Sequence, residues 1–173
     1  MDNETFIKTF SDDLLYVEES YRLHLRQFPQ ISVLTWQSLC RVYLLIAISC
    51  VDFFIEHVLT MAKVKPTRNY KKDIEKIILS ALKRNHVPNE LDIPEKIEKY
   101  ITLRELRHHL VHRALKKPMP KVQEKLKQID LSFDLDKFTE KEFETIKKII
   151  SDTINLIGMS MILIDNPEIK IKN

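Results

Sequence analysis

Residues 103–113 read LRELRHHLVHR. Leu103, Leu106, Leu110 and Ala114 recur at steps of three and four, which sets them on one face of an α-helix, and that face must be buried. At about 100° per residue, Arg104, His108 and His112 form a row on the opposite side, with successive members about 40° apart. Arg107 falls at the edge of the apolar stripe. One helix therefore carries a packing side and a cationic, titratable side.

The rest of the chain agrees with a helical fold. Gly158 is the only glycine in 173 residues. Strand-rich folds need glycine at hairpin turns and bulges, so an all-α fold is predicted. The length suits a single domain, residues 1–166, with a short tail at 167–173. Such a chain buries roughly 70% of its unfolded surface, enough for a proper core. Seven prolines punctuate the helical periodicity. An antiparallel bundle of about four to five main helices is expected.

The first helix is predicted over about 11–28, capped by Ser11, with Asp12 and Asp13 in its first turn. Its buried stripe would be Leu14, Leu15, Tyr21, Leu25 and Phe28. A second, long helix spans about 33–63 and is apolar almost all round, as a central or interface helix would be. Asp52 and Glu56 lie one turn apart within it. Buried carboxylates need partners, so they hold an arginine such as Arg107, order a histidine, or form a polar edge facing water. A third helix is predicted over about 70–85, behind a lead-in, residues 63–72, with five basic residues and no acid. The fourth, over about 94–116, carries the opening stretch and begins at Pro94. A short helix over about 121–128 follows Pro118 and Pro120. Residues 131–135 alternate apolar and polar and read as extended. Thr139 and Glu142 form a capping box for a last helix over about 140–164.

The formal charge of +3 is unevenly spread. Residues 103–127 hold eight Lys and Arg against two Glu, a local +6, which leaves −3 elsewhere. A basic patch of this kind points to an anionic partner. Cys40 and Cys50 lie ten residues apart on one predicted helix, about 15 Å in rise, too far to bridge. They read as reduced core residues of a cytoplasmic protein. The N-terminus is acidic and polar, unlike a signal peptide. The most apolar run, residues 42–51, is too short to span a bilayer, so no membrane partner is expected.

Histidine both takes and gives protons near neutral pH, and arginine clamps phosphate oxygens without losing its charge. Both on one rigid helix suggest phosphate chemistry, against the plainer reading of a solvated charged face. The segment Arg107-His108-His109-Leu110-Val111-His112 resembles the R-x4-6-H motif of the HEPN superfamily. These are small α-helical domains, many of them metal-independent ribonucleases of toxin–antitoxin, CRISPR and anti-phage systems. The family places this motif in a late helix of the bundle, after a long apolar one, as here. A polar residue often follows its arginine, and His108 fits. Arg104 to His109 has the same spacing. The pair Leu110-Val111 before the histidine, usual in the family, favours Arg107/His112. Family members paired with a nucleotidyltransferase antitoxin carry a tyrosine two residues after the histidine. Ala114 stands there, which argues against that modification.

The resemblance implies an endoribonuclease acting on RNA, with His112 transferring the proton, Arg107 clamping phosphate and His108 assisting. Arg104, His109, Arg113, Lys116 and Lys117 are candidates for RNA contact. Two protons move in such a cleavage, and one motif supplies one well-placed histidine. A homodimer doubles it. A toxic nuclease also implies an antitoxin or defence partner protein. No cofactor is called for. His108 and His112 at i, i+4, with Glu105-x-x-His108, echo a helical metal site, but no second Glu-x-x-His exists to complete a di-metal bundle. The competing reading from another class is a non-catalytic helical module for dimerisation, protein interaction or RNA binding.

Overall fold

A computed structural model of the chain describes residues 3–27, 33–67, 69–85, 92–112, 119–132 and 139–165. Among these residues there are six helices and no strand: α1 (Asn3–Gln27), α2 (Val33–Met61), α3 (Tyr70–Asn85), α4 (Ile93–His112), α5 (Pro120–Gln128) and α6 (Glu140–Asp165). The all-α expectation holds. Residues 133–135 of the expected extended stretch lie outside the described residues.

Helix starts follow local chemistry. Ahead of α3, Asp73 accepts hydrogen bonds from the Thr67 backbone N–H at 2.9 Å and the Thr67 hydroxyl at 2.8 Å. Asn69 caps α3 by accepting the Lys72 N–H at 3.2 Å. The Glu142 carboxylate accepts the Thr139 N–H at 2.6 Å, the reach-back of a capping box, and the Ser132 N–H at 2.8 Å. Pro120 sits in the first turn of α5 and opens that helix, one residue earlier than the expected start at 121.

Three connections turn through left-handed backbone without glycine, at Lys63 (φ 55°), Asp92 (φ 44°) and Asp130 (φ 57°). Beyond α2 the Val64 N–H reaches the Leu59 carbonyl at 2.9 Å, and beyond α5 the Leu131 N–H reaches the Leu126 carbonyl at 2.9 Å. These bonds satisfy carbonyls that a helix end would otherwise leave open.

α4 and α6 are central. α6 packs on α2, α3 and α4, and α4 packs on α2, α3, α5 and α6. The core is aliphatic, with Ile48 and Ile55 of α2, Ile74 and Ile77 of α3, Leu103 and Leu106 of α4 and Ile146 and Ile157 of α6 all fully buried. Each such side chain contributes about 1.5–3 kcal/mol. Tyr43 and Phe143 meet with ring centroids 4.7 Å apart.

Two expectations are corrected. α1 begins at Asn3, so Ser11, Asp12 and Asp13 lie inside it rather than at its start. The residues from Asn3 to Phe10 continue the same helix. Leu15 is 56% exposed, and Val17 packs on the core beside Leu14 instead. α2 is apolar almost all round, as expected, and buries one face of that surface. Tyr43, Leu44, Ala47, Ile48, Val51, Phe54 and Ile55 are buried, whereas Val42, Ile46 and Phe53 are exposed, together with Ser49 between them. The apolar run continues past Asp52. Arg41–Met61 is long and apolar enough to cross a membrane by length and composition, more than residues 42–51 alone, and half of it is buried within the bundle.

Candidate functional site

The functional candidates converge where α4 meets α2, the start of α3 and the start of α5. Tyr100 and Leu103 turn inward, fully buried, and hold α4 in register. That leaves Arg104 31% exposed and His108 exposed on the outer side. A cleft of about 640 Å³ opens there. Asn69, just before α3, and Tyr70 and Lys71 of α3 line it, with Ile101, Arg104, Glu105, Arg107, His108 and His109 of α4, and Met119, just before α5, with Lys121 and Val122 of α5. Its walls carry four permanent cations against one carboxylate.

Asp52 is the anchor. Its side chain is 14% exposed, and it receives the Arg104 Nε–H at 2.7 Å and 2.9 Å to its two oxygens. The Tyr100 hydroxyl donates to the same carboxylate at 2.7 Å. The Arg104 guanidinium lies over the Tyr70 ring, 3.5 Å from the centroid, and the Tyr70 hydroxyl donates to Glu56 at 2.7 Å. Asp52 and Glu56 thus serve one construction: two carboxylates fix two tyrosines and an arginine.

The electrostatics follow from the contacts. Burial alone would lower the Arg104 pKa, but the Asp52 hydrogen bond and charge more than reverse this, so it lies above its usual value. Burial raises the Tyr100 hydroxyl well above its ordinary value, with the Asp52 charge and hydrogen bond adding to it. Tyr70 is pushed up to about 12 by burial, then by its bond to Glu56 and the Asp52 and Glu56 charges.

Arg107 is held differently. Its Nη2 donates to the Ser49 hydroxyl at 3.1 Å, and that hydroxyl donates to the Leu45 carbonyl at 2.8 Å. Its Nε is buried and has no hydrogen-bond partner, the one such side-chain atom among the described residues. A buried donor left unpaired costs about 1–3 kcal/mol. Asp52 therefore holds Arg104, and not Arg107 as the sequence suggested. The reason is register. α2 and α4 run antiparallel, with Asp52 opposite Tyr100 and Arg104, and Ser49 opposite Arg107.

His109, a candidate for RNA contact, is only 7% exposed. It lies about 100° round the helix from His108, on the packed flank, and is a largely interior residue rather than a surface one. His112 closes α4, and the structure describes its backbone only. Arg113, Lys116 and Lys117 lie outside the described residues. Lys125, within the basic stretch, is committed to Glu98 and Glu105 at 3.1 Å each, and Lys71 to Glu98 at 2.7 Å. No group of three His, Cys, Asp or Glu placed to hold a metal ion occurs among the described residues.

Tyr70 and Tyr100 escaped sequence reading. Both sit on inward stripes, where a hydroxyl needs a partner, and the Asp52/Glu56 pair was the available signal. Asn69, Met119 and Lys121 lie at helix starts, where nothing local marks them as facing α4.

Neither a protein-family model, nor a curated protein, nor a solved structure matches this chain.

Proposed function

We propose that the chain is a metal-independent endoribonuclease of HEPN type, working as a homodimer in a toxin or anti-phage role. The observation that carries this reading is the Arg107 guanidinium. It sits one turn from a rigidly held Arg104, beside a cationic cleft, with a buried N–H that its own chain leaves unpaired. An anion that draws this side chain outward removes that penalty.

His112 is the proton-transfer residue, Arg107 the phosphate clamp and His108 the polar helper. The 2′-hydroxyl gives its proton to one histidine and its oxygen bonds to phosphorus. The P–O5′ bond breaks, and the leaving oxygen takes a proton from a second histidine. The products are a 2′,3′-cyclic phosphate and a 5′-hydroxyl, so DNA is inert. Five positions turn Arg107 and His112 about 140° apart around α4. A second copy brings a further histidine and arginine to the same phosphate. The burial of His109 supports the Arg107/His112 register over Arg104/His109.

The dimer face is α2. Val42, Ile46 and Phe53, exposed by 51%, 38% and 57%, share one stripe with Ser49, the partner of Arg107. One turn further along the antiparallel register comes Val111, 48% exposed. Apolar surface of this kind around the motif favours self-association.

Cleavage of a fluorogenic RNA in EDTA tests the activity. Parent protein cleaves, and His112→Ala and Arg107→Ala each lose about 100-fold or more. The same apolar face favours a second reading, a non-catalytic dimerisation or RNA-binding module, because an interface requires no chemistry. A folded dimer that leaves RNA intact at high concentration establishes that alternative.

A further inference from the structure

The cleft beside the motif offers more than charge. A site that met only phosphate would need donors and little else, yet Ile101, Val122 and Met119 furnish apolar walls here, and Met119 is left 55% exposed. Tyr70 and Arg104 are stacked and pinned, one through its hydroxyl to Glu56, the other through Nε to Asp52. Neither has much rotamer freedom left to lose when a ligand arrives. A guanidinium lying over an aromatic ring, 31% exposed and lining the cleft, is a platform on which a flat heterocycle stacks. A volume of about 640 Å³ admits such a group with its sugar.

Glu105 sits on the cleft wall, its Oε1 held by Lys125 at 3.1 Å. A carboxylate accepts hydrogen bonds and donates none. Among the four bases, guanine presents two neighbouring donors, N1–H and N2–H₂, on its Watson–Crick edge.

We propose that this cleft is a nucleobase subsite: one unstacked base of single-stranded RNA lies on the Arg104 guanidinium, against Ile101 and Met119, and Glu105 selects guanine. This rests on RNA being the substrate, but not on the chain cleaving it. The apolar walls take the base, and Lys121 and Arg107, which also line the cleft, face the backbone phosphates.

The test uses the full chain with methyl-labelled methionine and isoleucine, titrated with 2′-O-methyl tetranucleotides that differ at one base. Blocking the 2′-oxygen prevents cleavage, so binding is read whether or not the chain is a nuclease. The Met119 and Ile101 methyl signals should move upfield as the base stacks, and Met119→Leu assigns the first of them. The guanine-containing oligonucleotide should bind about tenfold tighter than the all-uracil one, a factor worth 1.4 kcal/mol. Glu105→Gln should bring the two within about threefold. Inorganic phosphate alone should leave both methyls in place. Cleavage of unblocked RNA with no methyl shift sinks the subsite and keeps the nuclease. Saturable methyl shifts without cleavage sink the nuclease and keep the subsite. Equal shifts from phosphate, or no discrimination between bases, also overturn the proposal.

Discussion

Arg104 and Arg107 are three residues apart on one helix and are held in opposite ways. Arg104 is tied to a carboxylate, stacked on a tyrosine and locked to the core through the shared anchor Asp52. Arg107 has one bond, to a hydroxyl on an exposed stripe of α2, and an unpaired donor. The first arginine is built into the fold and the second is retained despite its cost. The contrast separates a residue that shapes the site from one free to act in it.

The largest way to break the contrast is Asp52→Ala. It strands the Arg104 charge and the buried Tyr100 hydroxyl together. Removing one partner of a buried pair costs 3–5 kcal/mol, and the 31% exposure of Arg104 sets the lower end, about 3 kcal/mol. Urea unfolding measures it, and a cycle with Arg104→Met should show strong coupling. A loss below about 1 kcal/mol would make the anchor ornamental.

Arg107→Met should do the reverse. It removes an unsatisfied buried donor and one exposed bond, so stability should rise by up to about 1 kcal/mol while RNA cleavage falls. Marked destabilisation would show that Arg107 is structural as well. On the proposed dimer face, Ile46→Glu should give a folded monomer by light scattering, since an apolar interface does not tolerate an unpaired carboxylate. A dimer that survives places the interface elsewhere.

Smaller still, Lys125→Met loosens the tie between α4 and α5 by less than about 1 kcal/mol, because both of its glutamate partners are about two-fifths exposed. Last, tyrosinate absorbance should report the Arg104 side directly. The Tyr70 pKa is raised, so its contribution to stability is fully present below the unfolded value of about 10 and is lost as pH rises through about 12. A Tyr70 that titrates like free tyrosine would mean that the bond to Glu56 is not kept in solution.

Periodicity made the helices legible. α3 occupies the predicted span, and α2 and α6 end within two residues of it. The first helix starts at Asn3, ahead of the cap-like Ser11, because a cap signal is strong only where the preceding turn is not itself helical. At the site, the row Arg104, His108 and the buried stripe beneath it followed from angle alone. The partner of Asp52 did not. Choosing between two arginines one turn apart needs the offset of α2 against α4, which packing of Tyr100 and Leu103 decides. His109 shows the same limit, because α5 and α6 cover flanks of α4 that an isolated helix would expose.

Lys63, Asp92 and Asp130 occupy backbone positions that glycine would fill with less strain, and each stands at a helix boundary away from Arg107 and the Asp52 anchor. Glycine at Lys63 and Asp130 should each add up to about 1 kcal/mol. Joined in one chain, they give a toughened background in which damaging substitutions at the motif can be assayed while the bundle stays folded.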